Sequence, residues 1–261
     1  MNVSPCVLME AALEVARLSS LVALRYYKQD IAVETKGDGS PVTLADRAAE
    51  QLAREWIHAR FPADGILGEE FGETPGANGR RWVLDPIDGT KSFVRGVPLW
   101  GTCVAVCDGD DVLAGAAAYP AVDEHIAAAP GEGCWHNGAR CRVSAIDAIE
   151  RATVLVTDDR NFPSTDRRAG WDVLSHRAAV SRGWGDCYGY LLVATGRADV
   201  MVDPILNAWD APPFLPIIEE AGGVFTGWSG RRDAFAGDAI ATNRALADAA
   251  RILLWSPDVS R

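Results

Sequence analysis

The stretch Trp82-Val83-Leu84-Asp85-Pro86-Ile87-Asp88-Gly89-Thr90 decides how this chain is read. Three apolar residues predict a short buried strand, and two carboxylates three apart follow it, one of them fixed by Pro86. Gly89 and Thr90 then open a stretch that can become a helix. Carboxylates at a strand end suit a hard cation such as Mg²⁺, which prefers oxygen ligands and keeps water positions open. Free N–H groups at a helix start suit a phosphate. The two together point to phosphoryl chemistry, where positioning and charge neutralisation do most of the catalysis.

Upstream, Ser4-Pro5 predicts a helix start, and Leu8, Ala12, Val15, Leu18 and Val22 recur at helical spacing to an end near Tyr27. Ile31 to Thr35 alternates as a strand, and Lys36 to Pro41 concentrates chain breakers, predicting a loop. Thr43-x-x-Asp46 opens a second helix to about Ala59. Ile66-Leu67-Gly68 predicts a strand leading to Glu69-Glu70, and Gly72 to Gly79 a polar loop. Downstream, strands are expected at Trp100 to Val106, Val112 to Tyr119, His125 to Ala129 and Gly133 to His136, with Asn137-Gly138 as a hairpin turn. Past Val143 the pattern alternates: strands at Val154 to Val156, Asp199 to Val202, Gly222 to Phe225 and Ala239 to Thr242. Helices fall between and after them at Thr165 to Ala179, Gly185 to Gly196, Ala211 to Glu220 and Ala245 to Leu254. Helices, then a meander, then α/β alternation predict stacked layers, an α+β fold split near residue 145 into an N-terminal unit (1–145) and a C-terminal unit (146–261).

The chain has 261 residues, 48% of them hydrophobic, enough for a large core. A formal charge of −11 argues against non-specific nucleic-acid binding. No apolar window reaches membrane-spanning length, and Met1 to Leu13 lacks a basic leader pattern, so a cytoplasmic protein with no membrane partner is expected. Cys6, Cys103, Cys107, Cys134, Cys141 and Cys187 form no C-x-x-C pair and read as buried or incidental thiols. His58, His125, His136 and His176 stand outside every carboxylate segment and read as structural or exposed.

Asp46, Glu69-Glu70, Asp85/Asp88 and Asp210 each fall at an element end. Taken singly, Thr43-x-x-Asp46 is also a capping box, Asp210 before Ala211-Pro212 an ordinary N-cap, and Glu69-Glu70 solvated surface. Their joint order resembles the inositol monophosphatase family of Mg²⁺-dependent, lithium-sensitive phosphatases. Its carriers are Thr43-Leu44-Ala45-Asp46, Gly68-Glu69-Glu70, Asp85 to Thr90, the Gly133 to Gly138 hairpin, and Trp209-Asp210 followed by Glu220-Ala221-Gly222-Gly223.

The resemblance implies an αβαβα sandwich, a homodimer, and two to three Mg²⁺ ions, with Mn²⁺ as a substitute. It assigns Glu69, Asp85 and the Ile87 carbonyl to one ion, and Asp85, Asp88 and Asp210 to a second. The Gly89 and Thr90 amides would take phosphate oxygens. The Thr90 hydroxyl, hydrogen-bonded to Asp46, would orient the attacking water, assisted by Glu70.

Substrate choice falls to the second half. Gly185 to Tyr190 and Asp203 to Asp210, with Asp88 to Gly96, are similar to the histidinol-phosphatase branch of that family. Asp186, Cys187, Asp203 and Asn207, with Asp88, are the implied substrate contacts. Anionic and amide oxygens suit the ammonium and imidazole of histidinol phosphate. Inositol or sugar phosphates remain alternatives, because Asp203 suits hydroxyls equally and Asp186 suits a helix cap. Nucleotide 3′-phosphates would want basic residues, and the two second-half segments offer none apart from Arg197. A relative acting through protein partners is the non-enzymatic alternative, and the complete acidic set argues against it.

Overall fold

The computed structural model describes residues 3–30, 32–35, 41–162 and 167–255. Of the loop expected at Lys36 to Pro41, residues 36–40 lie outside them, as do Ile31 and the helix start at Thr165, and Pro41 instead begins a strand. Helix α1 (Pro5–Leu24) begins at Ser4, whose hydroxyl accepts from the Val7 amide. It stops short of Tyr27, because Tyr26 and Tyr27 donate to carbonyls three residues back in a tighter turn. Strands β1 (Val33–Thr35) and β2 (Pro41–Thr43) form a small antiparallel ribbon. Helix α2 (Leu44–Arg60) starts with the reciprocal capping box of Thr43 and Asp46.

The next strands are β3 (Gly65–Gly68), β4 (Gly72–Thr74) and β5 (Arg80–Asp88), before the short helix α3 (Thr90–Val94). β6 (Gly101–Asp108), β7 (Asp111–Tyr119), β8 (Glu124–Ala129), β9 (Gly133–His136) and β10 (Ala139–Arg140) follow. These make one eight-stranded sheet, β10-β9-β8-β7-β6-β5-β3-β4, antiparallel except for β3 beside β5. Asn137 and Gly138 take φ of 47° and 78°, the left-handed pair that a two-residue hairpin turn requires. The expected loop at Gly72 to Gly79 is a strand at its start, since β4 pairs with β3 at the sheet edge.

The second half holds β11 (Thr153–Val156), α4 (Arg168–Arg177), β12 (Val180–Arg182), α5 (Asp186–Ala194) and β13 (Val200–Asp203). It ends with α6 (Phe214–Glu220), β14 (Gly223–Thr226), β15 (Ala239–Asn243) and α7 (Ala247–Trp255). Its five-stranded sheet runs β12-β11-β13-β15-β14. α6 starts three residues later than expected, because the tandem Pro212-Pro213 biases each preceding residue away from helix.

Three apolar clusters give the layers. α1 and α2 bury Val15, Ala16 and Ile57 against Trp82, Leu84 and Val104 on one face of the large sheet. α5 and α6 lie between the sheets, packing Leu191, Phe214 and Ile217 against Val83, Tyr119, Leu155 and Met201. α4 and α7 cover the outer face of the small sheet with Trp171, Leu174 and Leu253. The order is α/β/α/β/α. The middle cluster draws on both sheets, so the two halves share one core. Each large apolar side chain buried there contributes about 1.5–3 kcal/mol relative to exposure.

Candidate active site

A cavity of about 320 Å³ opens where the C-terminal end of β5 meets the start of α5 and the β13–α6 connection. In a regular strand, residues three apart point to opposite faces, so Asp85 and Asp88 could not share a site. β5 runs beyond the predicted Trp82–Leu84, through Asp88, and carries an irregularity that makes them share one. Asp85 pairs with Cys103 but Asp88 with Gly101, so one extra residue is inserted between them. Pro86 lies in that insertion, where its missing amide costs no ladder bond, and Thr102 Oγ1 anchors its carbonyl at 2.7 Å. The Ile87 amide donates to Asp85 Oδ1 at 3.0 Å. Gly89 then turns the chain at φ 87°, and a Cβ there would stand 2.9 Å from the Leu99 carbonyl and 3.3 Å from Asp186 Oδ2.

Carboxylate oxygens of Asp85, Asp88 and Asp210 lie within 4.8 Å of one another. Glu69, Asp158, Asp186 and Asp203 also line the cavity, and Lys91 is the sole cationic side chain among its described lining residues. Seven carboxylates facing one ammonium would repel a phosphate ester. The donor set therefore fits a group of opposite charge, an oxygen-seeking cation. The electrostatics agree. Burial, and then the charges of Glu69, Asp88 and Asp210, push the Asp85 carboxyl well above the usual range. Burial and Asp186 do the same to Asp88. Burial raises Asp210 and Asp186 to about 7, and Asp203 and Asp46 to about 6.

These shifts carry a sign. A carboxyl raised in the folded state contributes stability that is fully present below its unfolded pKa near 4 and is lost as pH rises through about 6–7. Cation-free protein should therefore melt at a higher temperature at about pH 5.5 than at about pH 8, and added divalent cation should shrink the difference. Melting curves in chelator with no such trend would contradict this electrostatic account.

The second half closes the site. The Cys187 amide donates to Asp88 Oδ2 at 2.5 Å across 99 residues of sequence. Asp186 opens α5 at φ 50°, its amide donating to Thr157 Oγ1 at 2.8 Å. Asp210 Oδ2 accepts from the Asn207 amide at 2.7 Å.

Several expected roles change in this setting. Cys187 does not line the cavity; its side chain is buried behind Asp88. Asp203 lines the wall, but its oxygens accept from the Thr157 amide at 3.3 Å and the Tyr190 hydroxyl at 2.9 Å, so it orders the wall. Thr90 Oγ1 donates to the Ile87 carbonyl at 3.0 Å, not to Asp46. Asp46 Oδ2 instead takes the Thr43 amide, as the capping box demands, and the Thr43 hydroxyl as well, while its buried Oδ1 has no hydrogen-bond partner among the described residues. Asp46 and Glu70 stand outside the cavity wall. Among the described residues, no histidine lines it. Thr157, Asp158 and Asn161, from the turn after β11, complete the wall and were missed in the sequence. Asp158-x-x-Asn161, two turn-forming polar residues after an apolar strand, is the local signal that could have found them.

A layered fold with a bulged carboxylate strand facing a polar cavity defines a phosphoric monoester hydrolase once its relatives are compared. The inositol monophosphatase family model matches residues 6–256, and the chain belongs to that family. A protein named histidinol-phosphatase from Chlorobaculum parvum is 42% identical over 89% of this chain and 90% of its own length. One of the same name from Mycobacterium tuberculosis is 35% identical over 89% and 91%. Among solved structures, the extragenic suppressor protein SuhB of Bartonella henselae superposes with a TM-score of 0.87 at 26% identity, covering 96% of this chain and 99% of that one. Among the described residues, no helix is long and apolar enough to cross a membrane.

Proposed function

We propose that this chain hydrolyses L-histidinol phosphate to L-histidinol and phosphate, with Mg²⁺ as its resident cation, in the histidine-biosynthetic role of that reaction. The observation that carries the substrate is the placement of Asp186. Its Oδ2 stands 3.3 Å from the position of a Gly89 Cβ, beside the amides proposed to take the phosphate. In histidinol phosphate the ammonium sits on the carbon next to the ester-bearing one, so it must lie close to the phosphate. An anion there fits an amino alcohol ester better than a neutral polyol. The names of the relatives at 42% and 35% identity support the same substrate.

Glu69, Asp85 and the Ile87 carbonyl would hold one ion, and Asp85, Asp88 and Asp210 a second. Mg²⁺ when bound neutralises ester charge and lowers the pKa of water. The Gly89 and Thr90 amides orient the phosphate, and the Thr90 hydroxyl, held by the Ile87 carbonyl, faces the attacking water; Asp46 caps α2 behind the site. Asp186 and Asn207 face the leaving alcohol, and Asp203 keeps Tyr190 and Thr157 in place around it. The first half thus supplies the phosphate amides and most of the cation ligands, and the second adds Asp210 and reads the alcohol. The same reading includes lithium inhibition, a homodimer and action in the cytoplasm.

Phosphate release with Mg²⁺ from L-histidinol phosphate, inositol 1-phosphate and glycerol 2-phosphate tests the substrate. A kcat/KM preference of about 10²-fold for histidinol phosphate is expected, equivalent to about 2.7 kcal/mol of transition-state discrimination. A flat profile, or inositol phosphate preferred, would overturn the substrate and leave the cation site standing.

A further inference from the structure

Glu50 is an acid with no solvent exposure, in the middle of α2, among Ala45, Ala49 and Ala53. A buried carboxylate is costly unless every oxygen is used. Its oxygens are used, and most of their partners lie on one turn. Glu50 Oε2 accepts from the Glu70 amide at 2.7 Å, and Oε1 from the Phe71 amide at 3.2 Å. Oε1 also accepts Arg54 Nε at 2.7 Å. The Arg54 guanidinium continues to Thr74 Oγ1 at 3.1 Å and to the Gly72 carbonyl. Carboxylate and guanidinium together clamp the turn between β3 and β4. Gly68 completes the fit: a Cβ there would stand 2.0 Å from Glu50 Oε1. Asp46 lies one helical turn earlier on the same face of α2, close enough to Glu70 and Glu69 to feel their charges.

We propose that Glu50 is a positioning residue for the cation site: its carboxylate fixes the backbone of the Glu69–Phe71 turn and so aims Glu69 into the cavity. The proposal rests on the assignment of Glu69 to a cation. Glutamine at this position keeps the shape, but its NH₂ cannot accept, so one of the three donors faces another donor.

The test is calorimetric titration of Mg²⁺ into cation-stripped protein, without substrate, for the parent, Glu50→Gln, Gly68→Ala and Asp85→Asn. Gly68→Ala disturbs the same contact from the opposite side and decides the matter alone if Glu50→Gln does not fold. Both variants are expected to weaken Mg²⁺ binding by about 10- to 100-fold, the usual effect of losing a partner that orients a ligand. Turnover of either variant should recover as Mg²⁺ is raised, which damage to the fold would not allow. Parent-like Mg²⁺ binding in the variants, with binding lost in Asp85→Asn, would overturn the role of Glu50 alone. Lost turnover that Mg²⁺ cannot restore would also overturn it. Parent-like binding by Asp85→Asn would overturn the cation site itself, and this proposal with it.

Discussion

An Asp85→Asn variant is expected to release phosphate about 10³-fold more slowly than the parent, while its cation-free form melts a few degrees higher. The opposite directions have one cause. Asp85 is fully buried beside Glu69, Asp88 and Asp210, and each of these raises its pKa by repulsion. Without a cation that repulsion is uncompensated, so neutralising the group relieves the fold. For a chain of this size, each kcal/mol of relief is worth about 2–4 °C. With a cation, Asp85 is the one carboxylate proposed to serve both ions, and its loss removes the charge that assembles them. Phosphate-release assays and melting curves in chelator read the two effects separately. Near-parental turnover, or a lower melting temperature without cation, would refute the arrangement.

Asp186→Asn is expected to lower kcat/KM for L-histidinol phosphate by about 10- to 100-fold, the worth of one hydrogen bond to a charged group. Glycerol 2-phosphate, which has no ammonium, should lose only a small fraction of that. The substitution isolates charge unusually well. Asp186 has φ of 50°, and asparagine tolerates the left-handed region as readily as aspartate. The hydrogen bond to Thr157 Oγ1 is donated by its backbone N–H and survives the change. Equal losses on both esters would mean that Asp186 acts on the cation cluster through Asp88, not on the substrate's ammonium.

What was legible in the sequence was local. The Thr43–Asp46 box, the Asn137-Gly138 turn and the apolar run before Asp85 are short-range signals, and each stands where it was expected. The carboxylates of the proposed site were legible as residues, but the bulge that turns Asp85 and Asp88 to one side was not. It depends on the register against β6, which residue spacing within β5 does not encode. Glu50 was missed because the two amides it holds lie 20 and 21 residues away, though an acid amid the alanines of a buried helix face was a visible oddity. Cys187 and Asp203 were expected against the substrate because the family resemblance puts their segments there. Side chains one position apart on a helix or strand point to different surroundings, and these two belong to the wall's support.

The hydrogen bond from the Cys187 amide to Asp88 ties two selective pressures together. Cys187, the second residue of the helix proposed to face the alcohol, also holds a carboxylate of the proposed cation cluster. A mutation that reshapes the start of α5 for a new alcohol therefore also disturbs the charge arrangement on which every substrate depends. Substrate preference in this fold cannot drift as a free module. New specificities are more accessible from the turn after β11, where Asp158 and Asn161 line the cavity from a separate stretch of chain. Laboratory evolution toward other phosphate esters should accumulate changes there before it touches the Gly185–Tyr190 segment.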